Sequence, residues 1–327
     1  MEQCKLLNPS HSSFSAEMWH CLCPRHGMRW LLCWLMFQTL TLVSSPAGEL
    51  PPNEFFFQFR EGMLWVEVRV PETQRKLEFL LDSGAEASVI DLQTARNIDL
   101  KLGIKVDVRG VHASTEGYWC ATQAAEAGGV TLPNRFLALD LAKLSGSCGH
   151  KVDGLIGADF FKNKIVQLDF NQQKVRLLHP GDLDRTDATV PLEVRRCGIR
   201  IAASINAQKP RWFRIDTGCA SALQWVTGTV NPQECTPKVA VGLAELGIPQ
   251  TKTTVKIGTQ TLRDVQTGLH STEIFSGEAG LIGNGLLAQF ESVTIDTSAE
   301  KLILGKRRAP DPAAGPLTAH ETRDRSH

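Results

Sequence analysis

The chain has 327 residues, of which 42% are hydrophobic and 21% charged, so it can bury a sizeable core and form one or two compact domains. Its 35 basic and 35 acidic side chains cancel. This balance argues against a nucleic-acid surface and against electrostatic attachment to a membrane, so partners must be inferred from a local site.

The one strongly apolar segment covers residues 30–43, follows Arg29 and precedes a stretch of small residues that includes Ala47. This order of basic, apolar and small residues is typical of a secretory signal peptide. The segment is shorter than the roughly 20 residues of a membrane-spanning helix, so we expect cleavage near Ala47 rather than stable membrane insertion. Residues 1–47 are therefore predicted to be a leader, with Met28 as a candidate true start, and the mature protein is predicted to be secreted or periplasmic.

The cysteines show no pattern of a metal site. Four of the nine lie in the predicted leader, and the others are Cys120, Cys148, Cys197, Cys219 and Cys235. Their spacings match neither a Cys-x-x-Cys nor a histidine-bracketed zinc motif, so we expect no metal site. An odd number leaves at least one thiol without an intrachain partner. Cys120 with Cys148 and Cys219 with Cys235 are the sequence-local pairings, and the connectivity stays open.

From residue 54 onward, short segments rich in β-branched and aromatic residues alternate with Gly, Pro and Asn, which is typical of strands joined by turns. The clearest strand candidates are residues 64–70, 77–81, 105–111, 165–170 and 174–178. Helical periodicity is brief, as at residues 92–98. We therefore predict an all-β fold, with a polar, turn-rich linker at residues 179–190 and a disordered tail at residues 306–327.

Three elements of this sequence occur twice, in the same order and at nearly the same spacing. They are Leu-Leu-Asp-Ser-Gly-Ala (residues 80–85, recurring as Arg-Ile-Asp-Thr-Gly-Cys at 214–219), Gly-Leu-Ile-Gly (154–157 and 280–283) and an apolar strand ending in Asp (166–169 and 293–296). The repeat predicts two copies of one unit, an N-terminal lobe at residues 54–178 and a C-terminal lobe at residues 191–305.

The repeated Asp-Ser/Thr-Gly motif points to paired carboxylates, Asp82 and Asp216. Two carboxylates about 3 Å apart cannot both ionise, so such a pair holds one proton. One aspartate can then take a proton from an attacking water while the other donates one to a carbonyl oxygen. A glycine allows the loop to turn tightly, and a hydroxyl can hold the loop from behind. The residues predicted to support the two loops are Ser83, Gly84, Thr217 and Gly218.

At these residues the chain resembles the aspartic peptidases, and in particular the retropepsin-like group. Residues 80–86 (Leu-Leu-Asp-Ser-Gly-Ala-Glu) are similar to the retropepsin signature, and residues 154–159 to the apolar element that packs beneath the catalytic loop. Retropepsins assemble their site from two identical chains, whereas here both halves lie in one chain, as in pepsin. The resemblance implies two β-barrel-like lobes, an extended peptide bound in the active-site cleft between them, and endopeptidase activity.

The second copy departs from the retropepsin pattern at Arg214, Cys219 and Gly285. A hairpin that would close over substrate is expected from residue 105 to residue 119, with a polar tip at residues 112–117. Tyr118, the only tyrosine, is the candidate to hydrogen-bond toward the site from this hairpin, as a flap tyrosine does in pepsin-like enzymes.

Together these features predict an aspartic endopeptidase that acts as a monomer on polypeptide substrates and needs no cofactor. Three alternatives stay open. They are a catalytically inactive peptide-binding protein of the same fold, an obligate dimer whose lobes pair between chains, and a β-sandwich adhesion module. The last explains strands and export but not the paired aspartate motifs.

Overall fold

The computed structural model describes residues 53–309, apart from residues 72, 74, 111–112, 122–124, 185–186, 196–197, 229–237 and 242–243. The predicted leader and residues 310–327 of the predicted tail lie outside the described residues. Within the described part of the chain, no helix has the length and apolar character needed to span a membrane.

The first half of the chain consists of short strands and two short helices. In chain order these are β1 (Glu54–Phe56), β2 (Gln58–Arg60), β3 (Met63–Arg69), β4 (Lys76–Leu81), β5 (Val89–Asp91), α1 (Leu92–Asn97), β6 (Lys105–Gly110), β7 (Ala113–Ala121), β8 (Glu126–Ala127), β9 (Val130–Thr131), β10 (Arg135–Leu139), α2 (Ala142–Cys148), β11 (Gly154–Ile156), β12 (Ile165–Asp169) and β13 (Lys174–Leu178). Single 3-10 turns follow β11 at Ala158–Phe161 and β13 at Pro180–Asp182.

The described part of the second half also consists mainly of short strands, with one short helix. Its elements are β14 (Ala188–Arg195), β15 (Gly198–Ile205), β16 (Arg211–Ile215), β17 (Leu223–Val226), β18 (Lys238–Val241), β19 (Ala244–Gly247), β20 (Gln250–Ile257), β21 (Gln260–His270), β22 (Gly280–Ile282), α3 (Asn284–Leu287), β23 (Ser292–Asp296) and β24 (Lys301–Leu304). The prediction of an all-β fold is therefore confirmed, and most predicted strands begin and end within a residue of the observed ones.

Local chemistry explains why these segments form strands and why the helices stay short. In β20 the buried residues Thr253, Val255 and Ile257 alternate with exposed ones, the period of a strand with one face on a core. Helix α1 begins where the Asp91 side chain accepts a hydrogen bond from the Thr94 N–H at 2.9 Å. The helix ends as the chain turns through a left-handed residue, Asp99, at φ 56°.

The strands form two large sheets, one of which joins the halves of the chain. The first-half sheet has the order β6-β7-β10-β5-β11-β4-β3-β8-β9, with β2 paired to β3. In the second half, β15-β16-β22-β17-β21-β20 close into a six-stranded barrel because β20 also pairs with β15. Strand β14 continues this sheet into β24 and β23, and β23 pairs with β12 of the first half, which in turn pairs with β13. The halves therefore share a continuous backbone ladder.

The strand pairings around the two motifs correspond. Strand β4 pairs in parallel with β11, and β11 pairs antiparallel with β5. Strands β16, β22 and β17 repeat this arrangement. The parallel pair β5 and β10 likewise recurs as β17 and β21. Each predicted catalytic aspartate follows the first strand of its set, so both project from the same position of a repeated framework.

The hairpin of β6 and β7 differs from the prediction at its tip. Residues 113–117, expected in the tip, lie in β7 because their backbones pair with β6, from Gly110 opposite Ala113 to Val106 opposite Gly117. Residues 111–112, between the two strands in the sequence, lie outside the described residues. Tyr118 lies opposite Lys105 and therefore at the base of the hairpin.

The predicted linker and tail overlap with ordered segments. Residues 180–182 form a 3-10 turn, and β14 begins at Ala188, where it pairs with Leu304 of β24. Beyond β24, the Arg308 N–H donates to the Gln289 carbonyl at 2.8 Å. The chain is therefore held against the second half as far as Arg308.

Candidate active site

Each Asp-Ser/Thr-Gly loop follows one strand of a parallel pair and is hydrogen-bonded to the other strand. The Asp82 N–H donates to the Ile156 carbonyl of β11 at 2.9 Å, and the Asp216 N–H donates to the Ile282 carbonyl of β22 at the same distance. The Gly-Leu-Ile-Gly elements therefore hold the aspartates in place, as the resemblance implied.

A reciprocal set of hydrogen bonds ties the two loops together. The Ser83 N–H donates to Thr217 Oγ1 at 2.9 Å, and the Thr217 N–H donates to Ser83 Oγ at 3.1 Å. The Ser83 hydroxyl donates to the Ile215 carbonyl and the Thr217 hydroxyl to the Leu81 carbonyl, each at 2.8 Å. Both side chains are fully buried. Because every group of this crossed network has a partner in the opposite motif, the two loops are fixed as a unit.

The glycine of each motif lies directly against the aspartate of the other. A Cβ added at Gly84 would lie 2.5 Å from Asp216 Cγ, and one added at Gly218 would overlap Asp82 Cγ in the same way. Real Cβ atoms do not approach so closely, so only glycine allows the two loops to meet. This contact requires both motifs and explains why the third residue of each is glycine.

The two carboxyl groups are hydrogen-bonded to each other and are unequally supported by the backbone. Asp82 Oδ1 accepts from the Gly84 N–H at 3.0 Å and from the Ala85 N–H at 3.1 Å. Asp216 Oδ1 accepts from the Gly218 N–H at 2.9 Å. Asp216 is buried, at 9% exposure, and Asp82 is partly buried.

Burial dominates the titration of the pair. It raises the pKa of Asp82, and the backbone donors and the Arg214 charge oppose that rise. Burial also raises the pKa of Asp216 well above its ordinary value, and the neighbouring Asp82 charge raises it further. Two such groups retain one proton between them over a range of pH, which provides an acid and a base in contact.

The structure accommodates each of the three departures of the second motif. Arg214 forms a buried ion pair with Glu278, with Nε to Oε2 at 2.9 Å and Nη2 to Oε1 at 3.1 Å. Burial and the neighbouring Asp216 raise the pKa of the Cys219 thiol to about 12, so it stays neutral. At Gly285 a Cβ would lie 2.8 Å from the Ala222 nitrogen, so this turn packs too closely for a side chain.

Two residues of the site were missed by sequence reasoning. Glu278, which neutralises Arg214, lies in a loop and belongs to no motif. Asn284, fully buried, donates from Nδ2 to the Gly62 carbonyl at 2.8 Å and to the Thr217 carbonyl at 2.7 Å. The only available signal was the change from Ala158 to Asn284 after the repeated Gly-Leu-Ile-Gly.

Tyr118 is not brought to the aspartates. It lies opposite Ala138 and packs against the main core. The neighbouring residues Leu137 and Trp119 face the other side of the sheet, in an apolar cluster that also contains Ala85 of the Asp82 loop. Tyr118 therefore points away from the face that carries the site.

The predicted pairing of Cys120 with Cys148 does not form, and the predicted pairing of Cys219 with Cys235 involves a residue outside the described part of the chain. Cys148 and Cys219 are free thiols, and Cys197 and Cys235 lie outside the described residues. Cys120 belongs to the main core, whereas Cys148 packs on the cluster at the opposite face of the same sheet. Among the described residues, no group of three or more His, Cys, Asp or Glu side chains could hold a metal ion.

Comparison with known proteins agrees with this geometry over the first half. Residues 66–160 match the family model described as Aspartyl protease. The match runs from within β3 to the 3-10 turn after β11 and so includes Asp82 and the first Gly-Leu-Ile-Gly. No curated protein matches the chain. The family match supports an aspartyl protease domain in this part of the chain.

Proposed function

We propose that this chain is an aspartic endopeptidase of retropepsin-like character, which hydrolyses peptide bonds with a water activated between Asp82 and Asp216. The observation that carries the proposal is the reciprocal contact of the two motifs. Each glycine lies against the opposite carboxyl group, and each hydroxyl accepts from the opposite backbone. A structural turn motif has no need of such a partner.

The chemistry requires only the two carboxyl groups and water. One aspartate takes a proton from water as the water oxygen attacks the substrate carbonyl carbon, and the other donates its proton to the carbonyl oxygen. Burial favours the singly protonated pair that this step needs, because it raises the pKa of both carboxyl groups. No covalent enzyme intermediate and no cofactor enter the reaction.

We further propose that one chain is sufficient, with the two halves as tandem lobes and the polypeptide substrate in the cleft between them. The ladder between β12 and β23 supports this arrangement, because it joins the halves within the chain. Activity per mole should then be independent of enzyme concentration. A rise with concentration would favour the dimeric alternative.

Two single variants test the function. Asp82→Asn and Asp216→Asn should each abolish digestion of a denatured protein mixture between about pH 3 and 7, and a statine-type inhibitor should block the wild type. Asp296→Asn is the matched control, since Asp296 is a buried aspartate that accepts from the Ser298 and Ala299 backbones away from the site. It should retain activity.

The outcomes separate the proposal from its main rival. A wild type without turnover that still binds peptides would identify the inactive peptide-binding protein. Substantial turnover in either Asp82→Asn or Asp216→Asn would show that the reaction does not depend on the shared proton.

We also propose that the protein is exported, because residues 29–47 have the basic, apolar and small order of a signal peptide. Intact-mass spectrometry of the protein from its own host should show a chain that begins near Glu49. A mass that still includes residues 30–43 would contradict cleavage.

A further inference from the structure

The two halves differ at one pair of related positions beside the aspartates. In the first half, Leu80 lies two residues before Asp82, and Val152 lies two residues before the first Gly-Leu-Ile-Gly. Both belong to one buried apolar cluster. The same two positions of the second half hold Arg214 and Glu278. An apolar pair is thus replaced by an ion pair, so the site is electrostatically asymmetric.

The Arg214 guanidinium is held on several sides. Glu278 accepts two hydrogen bonds from it, and the side chains of both residues are less than a tenth exposed. The guanidinium carbon lies 3.6 Å from the centre of the Phe275 ring. Because these contacts orient the group, its remaining nitrogen, Nη1, is directed to the Gly84 carbonyl at 3.2 Å.

The peptide group that receives this hydrogen bond is the one that donates to Asp82. Its carbonyl belongs to Gly84, and its N–H belongs to Ala85 and donates to Asp82 Oδ1 at 3.1 Å. A donor on the carbonyl oxygen polarises the peptide and strengthens its N–H as a donor. The counterpart of Arg214 in the first half is Leu80, which has no side-chain donor for the corresponding peptide beside Asp216. Asp82 is therefore the aspartate that accepts a hydrogen bond from a peptide polarised by an arginine.

We propose that Arg214, fixed by Glu278, is a positioning residue that keeps Asp82 ionised and leaves the shared proton on Asp216. The inference rests on the proposed function for its catalytic meaning. Asp82 then takes the proton of the attacking water, and the proton of Asp216 goes to the carbonyl oxygen as the carbonyl π bond breaks and the new carbon–oxygen bond forms. The roles of the two aspartates are thereby assigned.

The other charged and titratable groups around the pair agree with this assignment. Arg214 lowers the pKa of both aspartates, Glu278 is neutralised by Arg214, and the Cys219 thiol stays neutral at a pKa of about 12. Arg200, the cross-strand neighbour of Arg214, is bound to its own carboxylate partner. The difference between the two aspartates therefore comes from the hydrogen bonds that Asp82 accepts.

The direct test is titration of the side-chain carboxyl ¹³C resonances of Asp82 and Asp216 by NMR. In the wild type, Asp82 should carry most of the change in the first ionisation step. A first step carried mainly by Asp216 would overturn the assignment. This measurement needs no turnover, so it separates failure of the inference from failure of the proposed function.

Variants test the part played by Arg214. Arg214→Leu combined with Glu278→Val recreates the apolar pair of the first half and avoids an unpaired buried charge. It should raise the pKa of the first ionisation step of the pair by about one unit. The acidic limb of the kcat/KM profile should move to higher pH by the same amount. Glu278→Gln leaves the Arg214 charge uncompensated and should move both in the opposite direction.

The controls exclude a purely structural effect. Arg214→Lys keeps the charge but cannot reproduce the three hydrogen bonds of the guanidinium, so it should shift the first ionisation less than the double variant does, and it also serves if the double variant does not fold. Arg200→Leu combined with Glu193→Leu removes a partly buried Arg–Glu pair between β15 and β14 and should leave the first ionisation unchanged. Equal shifts in the Arg200 control and in the Arg214 double variant would overturn the role of Arg214. A Glu278→Gln variant that differs from the wild type in stability but not in the first ionisation would overturn it as well.

Discussion

The crossed hydrogen bonds between the loops can be tested with Thr217→Val. Valine keeps the volume and β-branching of threonine but has no hydroxyl. The change leaves the buried Ser83 N–H without its acceptor and the Leu81 carbonyl without its donor, bonds of 2.9 and 2.8 Å. Each buried group left without a partner costs about 1–3 kcal/mol, and partial relaxation should limit the total to about 2–4 kcal/mol of unfolding free energy.

Activity should fall with stability, because the loops that the Thr217 hydroxyl holds together carry the two aspartates. A displacement of about 1 Å can lower the rate about 100-fold, so kcat/KM should fall by about that factor while the protein is still folded. The assays are urea denaturation and peptide hydrolysis at one temperature. A loss below about 0.5 kcal/mol with unchanged kcat/KM would refute the view that these bonds align the site.

Thr267→Val is the matched control for that variant. Thr267 is fully buried in the same barrel, donates to the Val265 carbonyl at 2.9 Å and lies 2.7 Å from the Thr253 hydroxyl. Its loss should also lower the unfolding free energy. It should leave kcat/KM unchanged, because neither partner belongs to a catalytic loop.

Three further predictions follow from the packing and burial of the site. Gly218→Ala should reduce kcat/KM at least about 100-fold, because the new methyl group must displace Asp82; retention of activity would show that the loops are not in the described contact. Burial raises the pKa of Asp216, so the folded state binds more protons than the unfolded state and stability falls as pH rises through the interval between its ordinary and raised pKa. Asp216→Asn should therefore unfold at higher urea than the wild type near pH 7, and equal or lower stability there would contradict the sign. Asn284→Ala removes donors to one backbone carbonyl of each half and should lower the unfolding free energy by about 2–4 kcal/mol in urea denaturation, whereas a loss under about 1 kcal/mol would show that the bonds contribute little.

The sequence by itself determined the elements that depend on local pattern. Short segments rich in β-branched and aromatic residues, bounded by turn residues, predicted strands such as β13 at their observed bounds. The repeated motifs predicted which aspartates, glycines and hydroxyls would come together, because each motif specifies a strand end, a tight turn and a polar side chain within a few residues. The contact between Ser83 and Thr217 follows from the pairing of those motifs.

The positions of turns and the directions of side chains were harder to predict from the sequence. The tip of the first hairpin was predicted at residues 112–117, whereas residues 113–117 are paired within β7. The direction of Tyr118 depends on its register opposite Ala138. A shift of one residue reverses the face of every side chain in a strand, and register is set by neighbouring strands rather than by the segment itself.

Only the tertiary structure decided the asymmetry of the site. Arg214 reaches a carbonyl 130 residues away in sequence and an acid 64 residues away, and Asn284 reaches a carbonyl 222 residues away. From sequence, Arg214 is a charged residue in an apolar approach, and Glu278 belongs to no motif. Their roles arise because folding brings distant segments together in a buried space, where an arginine is stable only with an acid and further hydrogen-bond acceptors.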